Sequence, residues 1–265
     1  MGMIEVSHVT HHYGVKPVLR DISLSVEKGE LVALMGPNGM GKSTLMEVMA
    51  GVMWPVKGHV EIDGKRRRSS EAAELAIRQQ VVYLTAEPWL PPFRTGRQWL
   101  LASGRLYGVD DDRLLPHAES LLDVFDLAAK ADSLVASYST GQKKKMALCT
   151  ALVTDAPVML LDEPFAGGLD PSAIFALRRI LLHHREKRDR TVVIATPVPS
   201  LVAELADRVG VIADGKLAAY DTVEGFCKKA GQTDGGERSL EEAYQATVNP
   251  DTLEKFQRYL QVAGR

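Results

Sequence analysis

Gly36-Pro37-Asn38-Gly39-Met40-Gly41-Lys42-Ser43-Thr44 is the stretch on which the fold turns. It follows the order glycine, four residues, then glycine, lysine and serine or threonine, the pattern of a phosphate-binding loop. The apolar run Leu31-Val32-Ala33-Leu34 leads into it, and the helix-prone run Thr44-Leu45-Met46-Glu47-Val48-Met49-Ala50 leads out. Glycines carry no Cβ, so backbone N–H groups can close around a phosphate chain. The helix that follows aims its positive end at the same anion. On this reading the loop residues Gly36 to Thr44 cradle the phosphates, Lys42 reaches the outer ones and Ser43 a bound Mg²⁺. The plainer alternative is a glycine-rich turn before an ordinary helix. The agreement of strand, loop and helix argues against it.

Outward from the loop, the 265 residues are 45% hydrophobic and 25% charged, which is globular composition with ample material for a core. A net charge of −2 gives no electrostatic footprint for nucleic acid. Lys65-Arg66-Arg67-Arg68 is the basic cluster; it follows the turn signal Asp63-Gly64 and reads as a solvated hairpin tip. Cys149 and Cys227 imply a reduced compartment without a disulfide framework. No apolar run approaches the ~18 residues of a spanning helix. The start Met1-Gly2-Met3-Ile4-Glu5-Val6 has no signal-peptide pattern. The expectation is a soluble, cytoplasmic protein that meets a membrane only through a partner.

Short β-branched runs alternate with helical ones. Strands are expected at Glu5–Val9, Leu24–Val26, Leu31–Leu34, His59–Ile62, Val81–Leu84, Val158–Leu161, Thr191–Ala195, Val209–Ile212 and Leu217–Tyr220. Several precede helices, which predicts βα units and a largely parallel sheet. From about Thr95 to Thr154 no strand is expected. Leu114, Ala118, Leu121, Leu122 and Phe125 recur there at helical spacing, as on one buried face. Pro116 fits that helix only in a first turn. This stretch reads as a helical insertion in an α/β core. Gly231–Glu237 reads as a loop, followed by helices at Leu240–Thr247 and Leu253–Val262.

A second motif is Val158-Met159-Leu160-Leu161-Asp162-Glu163, an apolar strand ending in adjacent carboxylates. In a phosphate-loop protein this is the place of the Mg²⁺-side acid. Asp162 would hold the metal through its waters, and Glu163 would polarise an attacking water as general base. An acidic loop after a core strand is the bland alternative. The pairing with Gly36–Thr44 outweighs it.

With these motifs the chain resembles the nucleotide-binding subunits of ABC transporters over nearly its whole length. The specific marker is Tyr138-Ser139-Thr140-Gly141-Gln142, similar to the family signature LSGGQ with Tyr138 and Thr140 substituted. The resemblance implies a P-loop NTPase core with a mainly parallel sheet, an antiparallel β subdomain and a helical insertion. It assigns residues 1–86 and 155–225 to the ATP-binding core, 87–154 to the helical part and 226–265 to a C-terminal extension. It implies ATP and Mg²⁺ as ligands. A second ABC ATPase subunit, identical or not, would set Ser139, Gly141 and Gln142 against the γ-phosphate in trans. Tyr13 falls where the family stacks an aromatic ring on adenine; core packing is the alternative. Leu169-Asp170 resembles the loop in which an Asp communicates across the dimer. Trp89 to Trp99 lies where the family's transmembrane permease subunit docks; a simple turn over the helical insertion fits nearly as well.

Two positions depart from the family. A histidine contacting the γ-phosphate is implied after Thr191–Ala195, and this chain has Pro197. A glutamine is implied after Val81–Leu84, where Ala86 aligns and Glu87 is adjacent. Proline offers neither a side-chain donor nor an N–H. The expectation is an ATPase that binds Mg·ATP well and hydrolyses it slowly by itself. It would drive a transporter from the inner face of the membrane, or act as the degenerate subunit of a heterodimer. Ser239-Leu240-Glu241-Glu242-Ala243-Tyr244 resembles a stretch of exporter ATPases and favours export. On spacing alone it is an amphipathic helix, Ser239 its N-cap and Glu242 three residues on.

Overall fold

The computed structural model describes residues 2–233 and 236–249, together with 251, 255, 258, 259 and 262. Its first strands, β1 (Ile4–Tyr13) and β2 (Lys16–Val26), form a long antiparallel hairpin. Both outrun the sequence expectation, because the pairing shifts register between Val6 and Val9 and again up to His12, which breaks the two-residue alternation around the buried Leu19 and Ile22. β3 (Leu31–Met35) is buried throughout and feeds through the glycine loop into α1 (Lys42–Ala50).

β4 (Lys57–Ile62) pairs antiparallel with β1 and turns into β5 (Lys65–Arg66). The turn residues Asp63 and Gly64 have φ of 49° and 69°, as in a type I′ hairpin. The hairpin is as expected, but its basic cluster is only partly solvated. Arg67 is 9% exposed; its Nε donates to the Met49 carbonyl at 2.7 Å and its Nη1 to Glu74 at 2.9 Å. Arg68 lies over the ring of Trp54. Arginine stems long enough to reach the end of α1 bury charge that composition alone reads as surface.

α2 (Glu71–Arg78) and β6 (Val81–Leu84) precede three helices, α3 (Gly96–Leu106), α4 (Asp111–Val124) and α5 (Thr140–Val153). Leu114, Ala118, Leu121 and Leu122 form the buried face of α4. Pro116 departs from expectation: it lies inside α4, which begins a turn earlier behind Asp110. The missing N–H falls opposite the carbonyl of Asp112, an exposed residue that solvent can serve.

β7 (Val158–Asp162), α6 (Pro171–Lys187), β8 (Thr191–Ala195), α7 (Pro199–Leu205), β9 (Arg208–Ala213), β10 (Lys216–Thr222), α8 (Val223–Lys229) and α9 (Leu240–Val248) complete the order. Within the expected loop 231–237, Gln232–Thr233 pairs with Gly236–Glu237. The expected helix Leu253–Val262 lies largely outside the described residues.

The main sheet has the order β10-β9-β3-β8-β7-β6, parallel except for the edge strand β10. A four-stranded antiparallel sheet, β2-β1-β4-β5, packs beside it. Alternate residues of the main sheet feed two cores, as the two-residue period of a strand requires. Leu34, Leu160 and Val193 join α1 and the antiparallel sheet on one side. Ala33, Leu161 and Ile194 join Phe125, Met146, Leu177 and Leu181 on the other. Among the described residues no helix is long and apolar enough to cross a membrane.

Candidate functional site

The loops that carry both motifs leave the same end of the main sheet. Leu34 and Asp162 each pair with Ala195, so β3, β8 and β7 terminate in one row. Beyond that row Thr196 N–H donates to Leu34 O at 3.1 Å, and Glu163 N–H donates to Ala195 O at 2.9 Å. In open α/β sheets this carboxyl end is where ligands bind.

The phosphate loop is held by contacts only glycine allows. A Cβ on Gly36 (φ 153°) would lie 2.2 Å from the Ile212 carbonyl, and one on Gly41 (φ 103°) 2.9 Å from that of Val18. Lys42, 5% exposed, donates from Nζ to the carbonyls of Gly36 at 2.7 Å and Pro37 at 3.0 Å. Burial lowers its pKa, while Glu163 and Asp162 pull it back up. Met40 plays another part, packing against the core under the antiparallel sheet.

Asp162 is 2% exposed. Burial raises its carboxyl above the usual range, opposed by the nearby Ser43 hydroxyl and by the charges of Lys42 and Lys144. Its Oδ1 is buried without a hydrogen-bond partner. An orphaned carboxylate oxygen in a folded core is costly and marks a place for a cation or its water. The donor set, one carboxylate and one serine hydroxyl beside a phosphate loop, fits Mg²⁺, which takes few protein oxygens and keeps its waters. Glu163 follows with φ of 45°, a left-handed conformation that costs a non-glycine residue energy and is common at functional sites.

A cleft of about 310 Å³ is lined by Tyr13, Asn38, Gly39, Gly41, Lys42, Ser43, Thr44 and Glu163, with Val18. The structure thus brings the loop, the base candidate and the aromatic candidate together. Tyr13 is 57% exposed, so its ring is not core packing; its hydroxyl donates to Met53 Sδ at 3.2 Å.

Ser139, Gly141 and Gln142 do not line this cleft. They begin α5 as a capping box: Gln142 N–H donates to Ser139 Oγ at 3.3 Å, and Ser139 N–H to Gln142 Oε1 at 2.9 Å. A Cβ on Gly141 would meet the Gly168 carbonyl at 2.8 Å, so this glycine seats the helix start on the loop after Glu163. Thr140 is exposed. Tyr138 is an anchor in the core, donating to the Lys130 carbonyl at 2.7 Å.

The family described as ABC transporter matches residues 19–166. The chain belongs to the ABC transporter ATP-binding family. It is 34% identical over 219 residues to a hemin import ATP-binding protein of Thermobifida fusca, covering 80% of this chain and 74% of that one. It is 33% identical over 222 residues to an energy-coupling factor transporter ATP-binding protein of Methanothermobacter thermautotrophicus, covering 83% and 71%. A carnitine transport ATP-binding protein of Listeria monocytogenes is 28% identical over 222 residues, and there the chain spans only 55% of its relative's length. Among solved structures, an ATP-binding subunit of an ABC transporter superposes with TM-score 0.83 at 29% identity, over 91% of this chain and 98% of that one. A dimeric bacterial ABC transporter cassette does so with TM-score 0.74 at 25%, over 83% and 98%.

In this ABC cassette the two departures lie just beyond the strand ends. Pro197 is exposed after the buried Thr196, whose Oγ1 accepts from Val198 N–H at 3.3 Å. Ala86 is half-buried and its carbonyl accepts from Lys144 Nζ at 3.1 Å, while Glu87 is exposed. Asp170 caps α6, accepting from Ala173 N–H at 2.8 Å and pairing with Lys145 at 2.5 Å. Trp89 and Phe93 are exposed. Sequence reasoning passed over Lys144 and Lys145, because a run of lysines ordinarily reads as a solvated face. Both are buried. The signal was their position on the signature helix, two and three residues after Gln142.

Proposed function

We propose that the chain binds and hydrolyses ATP as the cytoplasmic subunit of a membrane transporter, closing as a dimer on ATP and moving permease partners. The observation that carries this reading is the cleft itself, where an intact phosphate loop faces Glu163. Lys42 exchanges the carbonyls of Gly36 and Pro37 for the outer phosphates. Tyr13 offers a ring face to adenine. Glu163 takes the proton of the attacking water. Ser43 and Asp162 would hold Mg²⁺, which when bound neutralises charge on the phosphate oxygens.

The place of the signature supports a dimer. The signature residues lie at a helix start outside the chain's own cleft, available to a nucleotide held by a second cassette. Residues 1–86 and 155–225 would then carry nucleotide while 87–154 present the signature, with 226–265 as an extension. The exposed Trp89 and Phe93 support membrane attachment through a permease.

Ala86 and Pro197 favour a second reading, a slow, nucleotide-clamped member of a heterodimer. One lost donor to the γ-phosphate costs ~3 kcal/mol, two to three orders of magnitude in rate, and two losses at one site need not add. Export has only Ser239–Tyr244 as support. That stretch is the capped start of α9 with Leu240, Ala243 and Tyr244 buried, which accounts for its composition without a transport direction. The hemin relative is named for import. Direction and cargo belong to the membrane partner.

Light scattering of the Glu163→Gln chain tests the reading. With Mg·ATP its mass should double, and pull-down from membranes should recover a permease. A chain that binds ATP yet stays monomeric and recovers no membrane protein contradicts it.

A further inference from the structure

Lys143, Lys144 and Lys145 are consecutive, yet they go to different places. Lys143 is exposed, and Lys145 reaches Asp170. Lys144 turns inward and is 4% exposed. Its stem runs beside Gly167, where an added Cβ would meet its carbons at 3.7–4.0 Å. Its Nζ ends on the carbonyl of Ala86 rather than on a carboxylate. Burying an ammonium is costly unless opposite charge or full hydrogen bonding offsets it. An ammonium has three donors, and the main-chain carbonyl of Ala86 uses one.

Strand register explains where that charge sits. β6 and β7 are parallel neighbours with Leu84 opposite Leu161. Ala86 and Glu163 each follow two residues behind that pair, so the Ala86 carbonyl lies at the exit of the strand beside Asp162 and Glu163. The cation therefore stands at the cleavage end of the nucleotide site, where Ala86 and Pro197 themselves bring no side-chain donor.

The geometry points to Lys144 as a positioning residue for hydrolysis. Anchored on Ala86 and carried by the signature helix, its ammonium places positive charge on the side of the site where Asp162 and Glu163 lie and fixes the chain leaving β6 to α5. This inference rests on the reading of the cleft as an ATPase site. Any movement of Ala86, or of α5, then shifts the positive charge that the base feels.

Single-turnover hydrolysis by the full chain, over a range of ATP concentrations, tests this alongside hydrogen exchange of residues 85–90 without nucleotide. Lys144→Met should lower the saturating rate by at least about tenfold and leave the half-saturating ATP concentration within twofold. It should also speed exchange in residues 85–90. Lys144→Arg should restore the rate to within threefold of the parent, and Lys143→Met should change neither readout. A rate for Lys144→Met within twofold of the parent overturns the inference. Equal losses in Lys144→Met and Lys144→Arg, with a lowered melting temperature in both, reduce Lys144 to a structural part and overturn it as well. Parental hydrolysis that persists in Glu163→Gln removes the ATPase reading and this inference together.

Discussion

The phosphate loop and the segments that leave β6 and β8 lie at the same end of one sheet, and they are built differently. The loop is specified by backbone: Gly36 and Gly41 meet carbonyls that exclude any side chain, and Lys42 is held by two more. The segments after β6 and β8 rely on side chains for chemistry, and there Ala86 and Pro197 offer no donor. Backbone-built sites tolerate little change, whereas side-chain donors can be lost one at a time without unfolding anything. On the proposed function, holding ATP and cleaving it thus rest on separable parts of this cassette.

The largest effect should come from Glu163→Gln. The amide cannot take a proton from water, and single-turnover hydrolysis should fall roughly 100-fold or more. A fluorescent ATP titration should show affinity unchanged; a matching loss of affinity would break the separation between the two regions.

Next comes Lys42→Met, which removes the buried cation of the loop. Affinity for Mg·ATP should fall roughly 100-fold, the value of about 3 kcal/mol for charge-assisted hydrogen bonds. The melting temperature without nucleotide should hold within a few degrees, since among the described residues Lys42 hydrogen-bonds only to loop carbonyls. A variant with normal affinity would mean that the backbone alone holds the phosphates.

How much of this was legible in the sequence follows the same division. The strand runs 31–34, 81–84, 158–161 and 191–195 are apolar and β-branched, and each is a strand of the main sheet. Glycine spacing and the paired carboxylates revealed the cleft because they report backbone and charge directly. The burial of Arg67 and Lys144 was not legible, because a long cationic stem can lie outward or inward and only tertiary neighbours decide. Nor was the placement of Pro116, whose cost depends on whether the freed carbonyl meets solvent. The role of Gly141 needed the Gly168 carbonyl, a contact made across a loop.

The most direct test of the separation is single-turnover ATP hydrolysis by the unmutated chain beside Pro197→His, with Mg·ATP affinity measured on both. Binding should be tight in each, cleavage slow in the parent, and the rate at least about tenfold higher in Pro197→His from one regained γ-phosphate donor. Fast cleavage by the parent, left unchanged by Pro197→His, would contradict that separation.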